Sequence, residues 1–251
     1  MSSPAETLSD ASGLTRSVRR LRNRVFEILG RRDVLYCLGD SHSAIFAHIE
    51  DAAILPATRL ECCTVHGATT LGLANPKSKT NAAERFLQFT QDLPRDARIL
   101  VMLGEVDCGY LIWYREAVLG LDREAEFERS LANYSAFLEK MLSEGFQDLI
   151  VCSTPPPCIE DHVTWDDETE PRAKVSASQL ERTKLTARYN ARMQAYCEQN
   201  GIRYLDLWPD LIDPSTGLVS RQFLPVDPRD HHLRTDIFSL VVANRLNAEL
   251  S

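Results

Sequence analysis

Val34-Leu35-Tyr36-Cys37-Leu38-Gly39-Asp40-Ser41-His42-Ser43 is the stretch that decides the fold. Its first half, Val34–Leu38, is a short apolar run of the kind a buried parallel strand shows. Ala44 to Ile49 then reads as the opening turns of a helix. A strand that stops at Gly39-Asp40-Ser41 and enters a helix at once exposes the serine hydroxyl at the carboxyl end of the sheet, where open α/β sheets hold their ligands. The serine N–H lies near a helix N-terminus, where developing negative charge is stabilised. The segment suits an acyl-transfer nucleophile. It equally suits a plain strand-to-helix turn in which Asp40 or Ser41 is only an N-cap.

Outward from this stretch, strands and helices alternate. Further strands are predicted at Leu60–Val65, Ile99–Leu103, Asp148–Cys152 and Arg203–Leu207. Helices are predicted at Asn81–Gln91, Arg123–Glu144, Gln179–Gln199 and Arg234–Leu250, the last with Ile237, Leu240, Val241 and Leu246 as its apolar side. Five strands alternating with helices imply a parallel sheet covered on both faces. Before it, Leu14, Val18, Leu21, Val25, Ile28 and Leu29 recur at helical spacing, opposite a face of Arg16, Arg19, Arg20, Arg22 and Arg24. The division expected is therefore a disordered N-terminus and basic amphipathic helix over 1–32, and one α/β domain over 33–251. The basic helix is expected to dock on the domain with a solvated arginine face, or to make peripheral contact with an anionic membrane surface or an acidic partner. The long segment Thr154–Val175 leaves the fourth strand on the Ser41 side, so it is expected to border the site.

Composition narrows the classes. The chain has 251 residues, 44% hydrophobic and 25% charged, enough for a sizeable core. A net charge of −8 argues against general nucleic-acid binding. No apolar run approaches the ~18 residues of a membrane span, and Met1–Gly13 shows no secretory signal. The seven cysteines, several in predicted strands, are read as reduced thiols of a cytoplasmic protein. Cys37, Cys62 and Cys152 read as small core residues, and nothing near Cys108 marks it as a nucleophile. Cys62, Cys63 and His66 make a poor metal site, because adjacent cysteines on a strand point to opposite faces. No metal or other cofactor is expected. Arg182, Tyr189 and Asn190 read as a solvated or partly packed helix face, and Tyr110, Trp113 and Tyr114 as core packing or a sugar-stacking surface.

A serine nucleophile needs a base, and the base an orienting acid. Val226-Asp227-Pro228-Arg229-Asp230-His231-His232-Leu233 follows the fifth strand, in a loop that can reach the same sheet edge. Asp230 and His232 stand two apart, on one side of an extended backbone. His231 is the alternate base and Asp227 the alternate acid. An oxyanion site is offered by the glycine loops Val65-His66-Gly67 and Leu103-Gly104-Glu105-Val106-Asp107. The Gly-x-Ser-x-Gly elbow of α/β-hydrolases is absent, since Ser43 stands where its second glycine belongs.

Together, Gly39-Asp40-Ser41, the Gly67 loop, Leu103-Gly104-x-x-Asp107 and the late Asp/His pair resemble the SGNH/GDSL hydrolases over roughly residues 34–250. The resemblance implies a flavodoxin-like three-layer α/β/α sandwich with a five-stranded parallel sheet. It implies Ser41 as nucleophile, His232 as base, Asp230 as its orienting acid, and the N–H groups of Ser41 and Gly67 as oxyanion donors. Asp40, His42, Gly104, Glu105 and Asp107 complete the expected pocket. Two departures stand out. Val106 occupies the place of the family's oxyanion-donating Asn, a loss of about 3 kcal/mol in the transition state unless another donor such as His66 or Asn75 fills in. Arg229 stands three before the histidine, where the family's acid sits. The function implied is hydrolysis of a small acyl ester, such as an acetyl group on a glycan. The alternatives are a ligand- or glycan-binding module with little turnover, or an O-acyltransferase using the same serine.

Overall fold

The computed structural model describes residues 33–165 and 170–250. The basic helix expected over 1–32 lies outside them. Five parallel strands form one sheet: β1 (Asp33–Gly39), β2 (Thr58–Thr64), β3 (Arg98–Met102), β4 (Asp148–Cys152) and β5 (Arg203–Leu205), in the order β2-β1-β3-β4-β5. The order reverses at β1, whose successor in sequence lies on one side and β3 on the other. That reversal opens a crevice at the carboxyl ends of β1 and β3, where Ser41 follows Gly39.

Strand alternation splits the core into two layers. On β3, Ile99 and Val101 face one side, and Leu100 and Met102 the other; all four are fully buried. Against the first side pack α3 (Ala82–Thr90), α5 (Arg123–Ser143) and α6 (Gln179–Asn200), through Phe86, Phe127, Leu138, Tyr189 and Met193. Against the second pack α1 (Ala44–Ala52) and α8 (Thr235–Leu250), through Phe46, Ile49, Phe238, Val242 and Leu246. Short helices α2 (Thr70–Leu73), α4 (Ile112–Leu119) and α7 (Trp208–Leu211) and a small antiparallel pair, Ile212–Asp213 with Leu218–Val219, fill the connections.

Local chemistry explains the boundaries. Ser178 and Glu181 form a reciprocal capping box at the start of α6, and Gly201 ends it in the left-handed conformation at φ 66°. Asp122 caps α5 by accepting from the Ala125 N–H. Gly39 is forced by space: a Cβ there would lie 2.3 Å from the Met102 carbonyl oxygen and 2.6 Å from Ser43 Cβ. A larger residue would push the Ser41–Ser43 turn off β3.

Two expectations are corrected. The buried face of α8 is Phe238, Ser239, Val242, Ala243 and Leu246, while Leu240 is half exposed. Apolar residues surround this helix, so their spacing alone does not choose a face. Arg182, Tyr189 and Asn190 are buried rather than solvated. Asn190 accepts from the Thr154 N–H at 2.8 Å and donates to its carbonyl at 3.0 Å. Arg182 donates to the Ile159 carbonyl at 2.6 Å and the Ala177 carbonyl at 3.3 Å. These side chains hold both ends of the long segment after β4.

Candidate active site

Ser41 begins a single 3₁₀ turn, Ser41–Ser43, directly after β1, and is 7% exposed. The turn is held from within and from both neighbouring strands. Asp40 accepts the His42 N–H at 2.9 Å, and the Ser43 hydroxyl donates to the Asp40 carbonyl at 2.7 Å. Ser43 Oγ also meets Thr64 Oγ1 of β2 at 3.0 Å, and the Asp40 N–H reaches the Met102 carbonyl of β3. Neither the N–H nor the hydroxyl of Ser41 has a hydrogen-bond partner among the described residues. Both are open to a ligand.

The C-terminal loop comes to the same edge. Asp230 Oδ1 accepts from the His232 backbone N–H at 2.9 Å and from its ring Nδ1 at 2.7 Å. Burial pushes the Asp230 carboxyl up, but the two His232 contacts outweigh it and hold it below the usual range. Nδ1 is thereby a donor to Asp230, and Nε2 is the ring nitrogen left unengaged. His232 Nε2 is buried without a hydrogen-bond partner. His232 and Ser41 line one cavity of about 260 Å³, with Ala44, Ile45, His48, Leu233 and Phe238. No hydrogen bond joins Ser41 Oγ to His232 among the described residues. Asp227 accepts the Arg229 N–H at 3.0 Å and shapes the turn before Asp230. His231 is half-buried, and its ring centroid lies 4.0 Å from that of His232. Burial, together with the charge of Arg172, pushes His231 down to about 4 despite the opposing carboxylate of Glu105.

His42 joins the two halves. Its Nδ1 faces Asp40 Oδ1 at 3.2 Å, and its Nε2 faces the His231 carbonyl oxygen at 3.1 Å. Both partners are acceptors, so both ring nitrogens carry protons and the ring is an imidazolium. Burial opposes this charge, but Glu105, 3.4 Å from Nε2, and Asp40 overcome it and raise His42 to about 9. Glu105 is in electrostatic contact with His42 without the alignment of a hydrogen bond, and its Oε2 is a buried, unpartnered oxygen.

The glycine loops have separate tasks. Gly67 stands after β2 at φ 72°, exposed, with its N–H unpartnered among the described residues. Asp107 fixes that loop from below, accepting the Thr70 and Leu71 N–H groups at 2.8 and 3.0 Å. Burial drives its carboxyl up to about 7 against the pull of those donors. Gly104, at φ 112°, lies under Thr154 and Tyr189, where a Cβ would come within 2.7 Å of Thr154 Oγ1. It packs the floor. Asn75 lines a different cavity, and His66 is exposed.

The segment from Thr154 runs along the site. The Cys158 thiol donates to the Asp230 carbonyl at 3.6 Å, and Arg229 donates to the Thr164 carbonyl at 3.2 Å. A second cavity of about 390 Å³ opens beside it, lined by Tyr110, Trp165, Arg172 and Arg182 among others. Trp113 is core, its Nε1 donating to the Cys108 carbonyl. The sequence left three parts of this arrangement unread: the imidazolium bridge of His42, the Arg182 and Asn190 anchors, and Phe238 in the cavity wall. Only the adjacency of His42 to Ser41 hinted at the first.

No protein-family model matches the sequence, and no curated protein matches it. Solved structures do match. A candidate platelet activating factor from Streptococcus pneumonia aligns at 14% identity and TM-score 0.58, over 99% of this chain and 100% of its own. A candidate acylhydrolase from Bacteroides fragilis aligns at 15% identity and TM-score 0.55, over 86% of each chain. A GDSL-like lipase from Bacteroides thetaiotaomicron aligns at 13% identity and TM-score 0.54, over 88% of this chain and 90% of its own. With the strand order β2-β1-β3-β4-β5 and Gly39-Asp40-Ser41 at the carboxyl edge of β1, the chain has the three-layer α/β/α fold of the SGNH/GDSL hydrolases.

Proposed function

We propose that the chain is a serine esterase that cleaves a small acyl ester. The observation that carries this reading is the Asp230–His232 pair at 2.7 Å, with His232 and Ser41 lining one cavity. His232 Nε2 takes the Ser41 Oγ proton as Oγ bonds to the ester carbonyl carbon. The carbonyl π electrons move to oxygen, and the N–H groups of Ser41 and Gly67 receive the resulting oxyanion. The intermediate collapses, and the alcohol leaves with the proton from His232. Water, deprotonated by the same nitrogen, attacks the acyl carbon, and the acid leaves as Ser41 Oγ takes the proton back from His232. Ser41 and His232 come into hydrogen-bond reach when substrate enters, as catalytic contacts often tighten only in the complex.

The cavity of about 260 Å³ is at the small end for ligand pockets, which favours a short acyl group such as acetyl. Tyr110, its ring overlain by Arg172 at 4.9 Å, and Trp165 line the neighbouring cavity, and these aromatic walls support reading the alcohol side as a glycan. If that alcohol side admits an acceptor hydroxyl in place of water, the same serine serves an O-acyltransferase. Cytoplasmic residence is proposed on the seven unpaired cysteines. Among the described residues, no helix is long and apolar enough to cross a membrane.

Val106, which donates nothing, favours a second reading: a binding module with little turnover. Hydrolysis of p-nitrophenyl acetate separates the two. Ser41→Ala and His232→Ala are expected to lower kcat by roughly 10⁴-fold or more, and Asp230→Asn by about 10²–10⁴-fold. A fluorophosphonate probe is expected to label the wild type and not Ser41→Ala. Equal background rates in all four proteins, with no labelling, would establish the binder.

A further inference from the structure

Three imidazoles meet beside the nucleophile. One ring nitrogen from each of His42, His231 and His232 can be chosen so that all lie within 4.8 Å of one another. A tetrahedral site with Zn–N bonds of about 2.0–2.1 Å needs ligand edges of about 3.4 Å. The rings are thus roughly an ångström or so from closing on a common ion. His231 is the ring best placed to move, because its nitrogens have no hydrogen-bond partner among the described residues. His232 Nε2 is already unengaged, since Asp230 takes up Nδ1.

A second, independent feature points to a cation. Glu105 is 2% exposed, its Oε2 has no hydrogen-bond partner, and that oxygen lies 3.4 Å from His42 Nε2. A carboxylate oxygen with no hydrogen bond at such depth is costly, and here it is offset only by the charge of the His42 ring. A dication would satisfy it more fully than one imidazolium does.

We propose that His42, His231 and His232 form a binding site for a borderline divalent cation such as Zn²⁺, with the fourth position open to water and Glu105 as the negative neighbour of His42, and that its occupation silences the esterase. A donor set of three imidazoles suits zinc rather than calcium or magnesium. Binding at His42 Nε2 breaks its hydrogen bond to the His231 carbonyl and releases one proton to solvent. His232 Nε2 then donates its lone pair to the metal and is no longer free to take a proton from Ser41. The silencing half rests on the serine-esterase reading; the binding half does not.

Titration calorimetry of the full chain with Zn²⁺ tests the site, with Ser41→Ala as the variant that separates it from catalysis. The expected result is one ion bound per chain, equally by the wild type and Ser41→Ala. His231→Ala, which loses no hydrogen bond made by its ring, is expected to weaken binding by about tenfold or more, and Glu105→Gln to weaken it as well. Co²⁺ in place of Zn²⁺ is expected to give the visible bands of a nitrogen- and oxygen-ligated tetrahedral ion, without a thiolate charge-transfer band. Zn²⁺ should also abolish ester hydrolysis over the range in which it binds, and EDTA should restore it.

No binding at millimolar Zn²⁺, binding unchanged in His231→Ala and Glu105→Gln, or a thiolate band would overturn the site. Binding as expected with hydrolysis unaffected would overturn the silencing. Binding as expected in a chain with no hydrolysis to silence would keep the site and remove the esterase.

Discussion

At the residue scale, the Ser41–Ser43 turn is held beside a charge that is buried but not idle. His42 gains an imidazolium on folding, because Asp40 and the His231 carbonyl accept from its two nitrogens and Glu105 lies beside it. Its pKa in the folded chain is about 9, above the ordinary 6.5. The folded state therefore holds this proton more tightly than the unfolded state. The stabilisation is complete below about pH 6.5 and is lost as pH rises through about 9. Urea unfolding at pH 6.5 and 9.5 is expected to show a fall of about 3 kcal/mol that is absent in His42→Gln. A second residue-scale expectation concerns Val106, whose side chain offers no hydrogen-bond donor to the proposed oxyanion site. Val106→Asn is expected to raise kcat for p-nitrophenyl acetate by up to about a hundredfold with KM little changed. An unchanged kcat would mean that Ser41 and Gly67 suffice or that the position does not face the oxyanion.

At the element scale, helices adjacent to the sheet edge decide where functional loops sit. The segment after β4 is held to α6 by Asn190, Arg182 and Gln179, whose Nε2 donates to the Pro157 carbonyl at 3.1 Å. It touches the loop that carries Asp230 and His232 through Cys158 and Arg229. Its position over the site is thus set by buried polar side chains, not by its own sequence pattern. On the opposite face, α8 carries Phe238 into both the core and the small cavity. Phe238→Ala is expected to cost about 3–5 kcal/mol in denaturant unfolding, while Leu240→Ala, at a half-exposed position, changes stability by less than about 0.5 kcal/mol. Equal effects of the two would mean that the other face of α8 is the packed one.

At the scale of the whole molecule, the site exists because two distant parts of the chain close on one sheet edge. The bond from His42 to the His231 carbonyl spans 189 positions of sequence. The two core layers that support it are built within residues 33–250. A chain beginning near Arg32 is therefore expected to fold and keep its hydrolysis. A truncation that folds, by circular dichroism, yet has lost all turnover would show that the preceding residues reach the site.

The sequence by itself determined the alternation of strands and helices, because apolar runs and helical spacing are local properties that a parallel sheet covered on both faces imposes directly. β4 is found at Asp148–Cys152 as predicted, and β1 to β3 within two residues of their predicted limits. It also singled out Ser41, Asp230 and His232 as candidates, since their residue types and order suit the proposed chemistry. Only the tertiary structure decided which face of α8 is buried, why Arg182, Tyr189 and Asn190 leave solvent, and that His42 is a doubly protonated ring between Asp40, Glu105 and the His231 carbonyl. Each of these depends on which partners arrive from elsewhere in the chain. A polar side chain is buried when the fold supplies its hydrogen bonds, and no local spacing encodes that supply.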